Sequence, residues 1–313
     1  MFWNKKKSVY EKEEFYCNIC GTLNTAYIKD GEPTGYHCGL CRSHDQNKPP
    51  IYDADEADKI KLARLENIYL GKTIYLGNSK WEAVAQVTVE LAGSGEKVEA
   101  WRLLGEGLCE RASWKKPYGD KGSERSFRFD TTDDPYPKWN DCTLRKLLNE
   151  VYFTENFTEM ERSRILKVRT HTPNNVFYFS DCEKNTENTK AAMMGGPNTK
   201  IKGVLYSGRY ADFYEGDKYV AKGGPACDDY VTIFSLPEYK EYYEYYQRMY
   251  GRPVQGFGGY WLRTPGYPMT PFITTMRSKM VITNSQGIPV YDGCIENDLF
   301  YQYCVRPVIY VKA

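Results

Sequence analysis

The chain reads as an α+β protein that carries a zinc ribbon at its N-terminal end. Three observations predict this. Two Cys-x2-Cys pairs, Cys17/Cys20 and Cys38/Cys41, stand 17 residues apart. Segments of period-two apolar spacing, the repeat of strands, open and close the stretch 71–313. Between them the spacing changes to i, i+3, i+4, i+7, the repeat of one helix face.

The cysteine pairs lie in "CNICGTLNTAYIKDGEPTGYHCGLC". Four thiolates from two such knuckles suit a tetrahedral structural zinc site, with no position left for water. Gly21 and Gly39 fall where the backbone must turn tightly toward a metal. His37 adjoins Cys38 as an alternative donor, but two complete pairs make it unnecessary. The ribbon is expected over 1–48. Residues 1–60 hold eight Lys and Arg against ten Asp and Glu, a balance of −2. A nucleic-acid ribbon needs a basic face, so a structural or protein-contact role is favoured.

Residues 49–70 read as a linker with a short helix. "RSHDQNKPP" is polar and ends in Pro49-Pro50, a boundary signal. "DADEADKIKLARLENIY" then begins with acids, which favours a helix start at Asp53–Glu56.

The large domain is expected over 71–313. Ile74, Leu76, Trp81, Val84, Val87 and Val89 fit strands, and Gly93-Ser94-Gly95 reads as a hairpin turn. Leu144, Leu147, Leu148 and Val151 mark a helix, with Asp141 or Thr143 as its cap. Thr158 and Glu161 have the spacing of a capping box. "VTIFSLPEYKEYYEYYQRMYG" reads as a strand entering a helix capped by Ser235, with Gly251 as terminator. Its Tyr239, Tyr242, Tyr243, Tyr246 and Tyr250 make either an aromatic binding stripe or a half-buried face. "GGYWLRTPGYP" is a short strand followed by turn chemistry at Thr264-Pro265-Gly266. A second hairpin is expected at Asn284-Ser285-Gln286-Gly287. "YCVRPVIYVKA" closes the chain as a strand paired near the start of the domain, with Pro307 at a bulge or edge.

Composition narrows the function. A net charge of +1 offers no general electrostatic grip on nucleic acid or an anionic membrane. No apolar run approaches the roughly 20 residues that span a bilayer. With no secretory signal pattern either, a cytoplasmic location is expected. Only three His occur, and His171 is the single one after the ribbon segment, which disfavours Ser-His or Cys-His hydrolysis. Tyr numbers 28, a composition that suits binding faces and equally the wet edges of a sheet core.

The motifs "LGNSKWEAV", "CTLRKLLNEVYFTENFTEMERSRI", "VTIFSLPEYKEYY", "YWLRTPG" and "VRPVIYV" resemble a bacterial family of domains common in gut Firmicutes. Its members carry a "LR.WLN..F...F...E...I" helix pair, "VFLLS..E...Y", "WLRSPG" and a closing "VRPALWL", often after a zinc ribbon. That family is similar to the formylglycine-generating-enzyme branch of the C-type lectin fold. The resemblance implies a C-type-lectin-like α+β domain, with an insertion at about 170–227. It also assigns Trp81, Trp261 and Arg306 to the fold. The enzyme branch uses closely spaced cysteines near the C-terminus, whereas Cys294 and Cys304 stand ten apart without the surrounding pattern. Catalysis is therefore not carried over, and the six cysteines outside the ribbon read as buried or free thiols.

The expected function is a non-catalytic ligand-binding module for a carbohydrate or protein, with structural zinc as cofactor. Its face is expected to use Tyr260, Arg263, Tyr267, Met269, Phe272, Asn284, Asp292 and Asn297. Although Arg263 is counted with this face, an anchoring role that bonds backbone carbonyls is the favoured reading of its side chain. The alternatives are a structural protein using both units for protein contacts and, less favoured, a thiol- or metal-dependent enzyme.

Overall fold

The computed structural model describes residues 11–43, 45, 47–108, 138–178, 200–201, 204–205, 214–215, 218–250, 261–265, 280–283, 289–290 and 305–313. It is mixed α and β, with several small antiparallel sheets.

The ribbon is a three-stranded antiparallel sheet of β1 (Glu11–Tyr16), β2 (Leu23–Lys29) and β3 (Glu32–Pro33). The segment after Pro49-Pro50 does not leave it. Tyr16 N donates to Ile51 O at 2.7 Å, and Ile51 N to Tyr16 O at 3.2 Å. Helix α1 (Ala54–Ala63) begins where its acids predict. Asp53 caps it by accepting from Asp55 N at 2.8 Å and Glu56 N at 3.4 Å.

The large domain is built on β4 (Thr73–Leu76), β5 (Ser79–Glu90), β6 (Lys97–Gly105) and β17 (Val308–Lys312), all antiparallel, in the order β17-β6-β5-β4. The Gly93–Gly95 turn joins β5 to β6, with Leu91 N donating to Glu96 O at 2.8 Å. The last strand is thus inside the fold, paired with an early one from Val308↔Leu104 to Lys312↔Ala100. Pro307 stands just before it, where a missing N–H costs no ladder bond, while its carbonyl accepts from Gly105 N at 2.8 Å.

Side chains alternate across this sheet, and both faces are covered. Leu103, Ile309 and Val311 join one cluster with Ile74, Trp81, Leu148 and Phe157. Ala100, Leu104, Val308 and Tyr310 join a second with Phe234, Tyr239 and Tyr242. That double burial explains the unbroken apolar run Val308–Val311.

The first cluster is closed by a helical segment whose cap and winding the sequence did not reveal. It runs as α2 (Thr143–Lys146), a π-helical stretch (Leu147–Tyr152) and α3 (Phe153–Asn156). Its cap is Cys142, whose Sγ accepts from Arg145 N at 3.4 Å, rather than Asp141 or Thr143. Helix α4 (Glu159–Arg162) has the full capping box of Thr158 and Glu161.

Short ladders follow: β7 (Val168–Thr170) with β13 (Cys227–Asp229); β8 (Asn175–Tyr178) with β12 (Lys218–Ala221) and β11 (Tyr214–Glu215); and β9 (Lys200–Ile201) with β10 (Val204–Leu205). The β7/β13 ladder borders the stretch expected as an insertion at about 170–227, and the other two ladders lie within it. Helix α5 (Leu236–Tyr250) covers the second cluster. Its Tyr239, Tyr242 and Tyr245 are buried, Tyr243 and Tyr246 pack half-buried beside them, and Tyr250 is exposed. The tyrosine stripe is therefore largely a packing face. A last sheet has the order β14 (Trp261–Pro265), β15 (Met280–Thr283), β16 (Pro289–Val290). Gly251 and the hairpin expected at 284–287 lie outside the described residues.

Candidate metal centre and buried polar motifs

Cys17, Cys20, Cys38 and Cys41 converge, with all four Sγ atoms within 4.8 Å of one another. Cys17 Sγ is 3.6 Å from Cys41 Sγ, and Cys20 Sγ 3.5 Å from Cys38 Sγ. His37 is not in the group. Backbone and side-chain donors already point at the sulfurs: Ile19 N to Cys17 at 3.4 Å, Cys41 N to Cys38 at 3.3 Å and Asn24 Nδ2 to Cys38 at 3.6 Å. Such bonds stabilise thiolate. As free thiols, Cys17, Cys38 and Cys41 are shifted in different directions. Hydrogen bonds from Cys20 and Cys38, then burial, push Cys17 up. The bond from Cys17 pulls Cys38 down, and burial pushes Cys41 up to about 11. This donor set is compatible with a metal site.

The knuckle is packed onto the rest of the chain. Gly21, at φ +70°, lies so close to α1 that a Cβ there would stand 2.4 Å from Ala57 O and 2.8 Å from Lys61 Cγ. Arg64 Nη2 donates to Ile19 O at 2.6 Å. Tyr75 of β4 packs partly buried against the cysteines. Beyond its stem, Lys61 Nζ pairs with Asp58 at 3.4 Å and with Glu161 at 3.2 Å. Glu161 is fully buried and also accepts from Gly77 N at 2.7 Å and Thr158 N at 2.8 Å. Gly77 turns at φ +57°, and a Cβ there would meet Asn156 O at 2.1 Å.

The polar residues of the remaining motifs bind one another. Arg263 is 4% exposed, so its ligand-facing role is corrected to the anchoring one. Its guanidinium pairs with Glu238 at 2.6 Å and donates to Ile233 O and, at 3.3 Å, to His171 O. Glu238 also accepts from Ser235 N at 2.7 Å and Ser235 Oγ at 2.7 Å, and pairs with Arg102 at 3.2 Å. Burial alone would raise the Glu238 carboxyl, but Arg263 and Arg102 outweigh it and hold it at about 2. Arg306 donates to Gly105 O at 3.1 Å and Tyr242 Oη at 3.1 Å. Trp261 is buried in the first core cluster. Trp81 is fully buried, its Nε1 donating to Leu76 O at 3.1 Å.

Two further sets escaped the sequence reading. Asp229 is fully buried and accepts from Arg145 Nε at 2.6 Å and Trp139 Nε1 at 2.8 Å. Asn149, within the π-helical stretch, donates to Arg145 O at 3.0 Å and Val231 O at 2.8 Å, and accepts from Tyr230 N at 2.8 Å and Val231 N at 3.1 Å. It acts as a backbone surrogate that fastens the helix to residues 230–231. Cys227 is no activated nucleophile: burial, then the Asp229 charge, pushes its thiol up to about 12. The face residues Tyr260, Tyr267, Met269, Phe272, Asn284, Asp292 and Asn297 lie outside the described residues, as do Cys109, Cys182, Cys294 and Cys304. Among the described residues, no helix is long and apolar enough to cross a membrane.

No curated protein and no solved structure matches the chain. A family model does match, over residues 131–313, and β17 at its end pairs with β6, which lies before its start. As that match covers more than half of the chain, the chain belongs to the family described as a domain of unknown function (DUF6273).

Proposed function

We propose that the large domain is a non-catalytic module that binds a carbohydrate or a protein through residues 260–300, and that the four cysteines hold a structural zinc ion. The observation that supports the binding role is the mutual commitment of the buried motif residues. Arg263, Glu238, Asp229, Arg145 and Glu161 are spent on internal pairs and backbone caps. A scaffold of that kind holds β14 rigidly at Trp261, Arg263 and Thr264, whose hydroxyl accepts from Leu236 N at 2.7 Å. The sequence on either side of β14 is aromatic, with Phe257, Tyr260, Tyr267 and Phe272. Aromatic residues next in sequence to an anchored strand suit recognition, and a lectin-like scaffold, which the motifs resemble, displays its ligand face near such strands.

Zinc fits the cysteines chemically. Tetrahedral Zn–S bonds of about 2.3 Å place sulfurs about 3.8 Å apart, close to the 3.5 and 3.6 Å spacings here. Four sulfur donors fill the coordination shell, so the ion would supply folding energy rather than chemistry.

A second reading, an assembly role in contact with other proteins, draws on the outer face of the ribbon, where Leu23 is 46% and Tyr27 50% exposed. A glycan array and a partner pull-down with the full chain separate the two. In the first reading Tyr267→Ala and Phe272→Ala each weaken ligand binding about tenfold, or about 1.4 kcal/mol, with little change in melting. Trp261→Ala instead destabilises the fold by about 3–5 kcal/mol. A Trp261→Ala protein that folds normally but loses binding, beside normal binding by the other two variants, would reverse the assignment of core and face.

A further inference from the structure

We propose that the metal-loaded ribbon acts as a clamp on the large domain, so that metal occupancy at the four cysteines sets the stability of the Gly77 turn and the start of α4. This rests on the metal reading of the cysteines. The geometry that carries it is a continuous set of short contacts. The Cys17–Cys20 knuckle presents Ile19 O to Arg64 at 2.6 Å. Its next residue, Gly21, is seated against Ala57 O and the stem of Lys61. Lys61 is 5% exposed and is the cation that faces the fully buried Glu161. Glu161 in turn holds Gly77 N and Thr158 N, which close the β4–β5 turn and open α4. Asp58, the other charge on this lysine, accepts from Thr158 Oγ1 at 3.0 Å. Tyr75 provides a second path, packing on the cysteines from within the main sheet.

A ribbon that folded as an independent unit would stabilise only itself when it bound metal, because linkage acts on the cooperative unit that contains the site. Here one wall of the Lys61 site is the knuckle backbone. Loss of the metal releases that wall, admits water to Lys61 and leaves Glu161 without its buried counter-charge, a costly arrangement. Coupling carried by a packed network should then appear as faster local opening at the far end.

The test uses the full chain. Co(II) titration of the chelator-treated protein reads the site through thiolate charge-transfer absorption. Hydrogen exchange is then followed in peptides spanning 73–78 and 156–161, with and without metal. The expected result is exchange at least about tenfold faster in the metal-free chain at both places. Arg64→Ala, which removes the bond to Ile19 O and the cation over the Tyr75 ring but no fully buried charge, should bind Co(II) normally yet reduce that metal-dependent difference. If no thiolate absorption develops, the metal reading fails and the clamp with it. Normal Co(II) binding with unchanged exchange at 73–78 and 156–161 overturns the clamp alone, as does an Arg64→Ala variant with the full wild-type difference.

Discussion

Glu238 offers the sharpest test of the buried framework. Its carboxylate lies between Arg263 at 2.6 Å and Arg102 at 3.2 Å, and it also caps the start of α5 through Ser235 N. Glu238→Gln keeps the shape but removes the charge, leaving the buried Arg263 guanidinium without its carboxylate and Arg102 with only the more distant Glu241 at 3.8 Å. Breaking a buried pair in this way costs about 3–5 kcal/mol at neutral pH. The shift that the two arginines impose on the carboxyl corresponds to a cost of the same size. The carboxyl's folded value of about 2 lies below the ordinary 4.5, a difference that corresponds to about 3 kcal/mol. The sign follows from the depressed folded value: the contribution is fully present above the unfolded value and is lost as pH falls from 4.5 through about 2. Urea unfolding at a series of pH values, compared between wild type and Glu238→Gln, should show a gap of about 3 kcal/mol at pH 7 that shrinks below pH 4.5 and closes only as pH falls to about 2. Other carboxylates and the cysteine site also respond to acid, but they do so in both proteins and cancel in the difference. A gap below about 1 kcal/mol at pH 7, or one that stays constant into acid, would refute the assignment of Glu238 as the charge that holds both arginines.

Asn149→Leu should destabilise the large domain by about 2–4 kcal/mol in urea unfolding, because it strips the partners from Val231 O and from the Tyr230 and Val231 amides. Elemental analysis should find about one zinc per chain, and Cys38→Ser should abolish it. Metal binding should release protons, since Cys41 stands near 11 without metal, so acidification below neutral pH should release the ion, as a chromogenic chelator would read.

Local chemistry was legible in the sequence wherever partners are near in the chain. The paired cysteines, the Asp53 cap, the Gly93–Gly95 hairpin and the Thr158–Glu161 box all depend on residues within a few positions, or on a spacing that a single motif carries. Period and burial also agree, so the strands around Trp81 and the helix around Leu148 followed from apolar spacing. The partner of Arg263 did not follow. A cation beside a turn favours an anchor bonding backbone carbonyls, but its carboxylate partner Glu238, 25 positions earlier, is brought to it only by the packing of α5 on β14. Asn149 gave no signal, because its partners at 230–231 lie across a non-local contact and the π-helical turn has no sequence signature of its own. Pro49-Pro50 reads as a boundary followed by a helix that either packs on the main domain or connects to it, and the structure shows Ile51 pairing with Tyr16 and α1 packed against the knuckle. By itself, then, the sequence determined which residues form each element and which four could share a metal. Only the tertiary structure decided which buried charges neutralise which, because that pairing depends on distances across the fold and not along the chain.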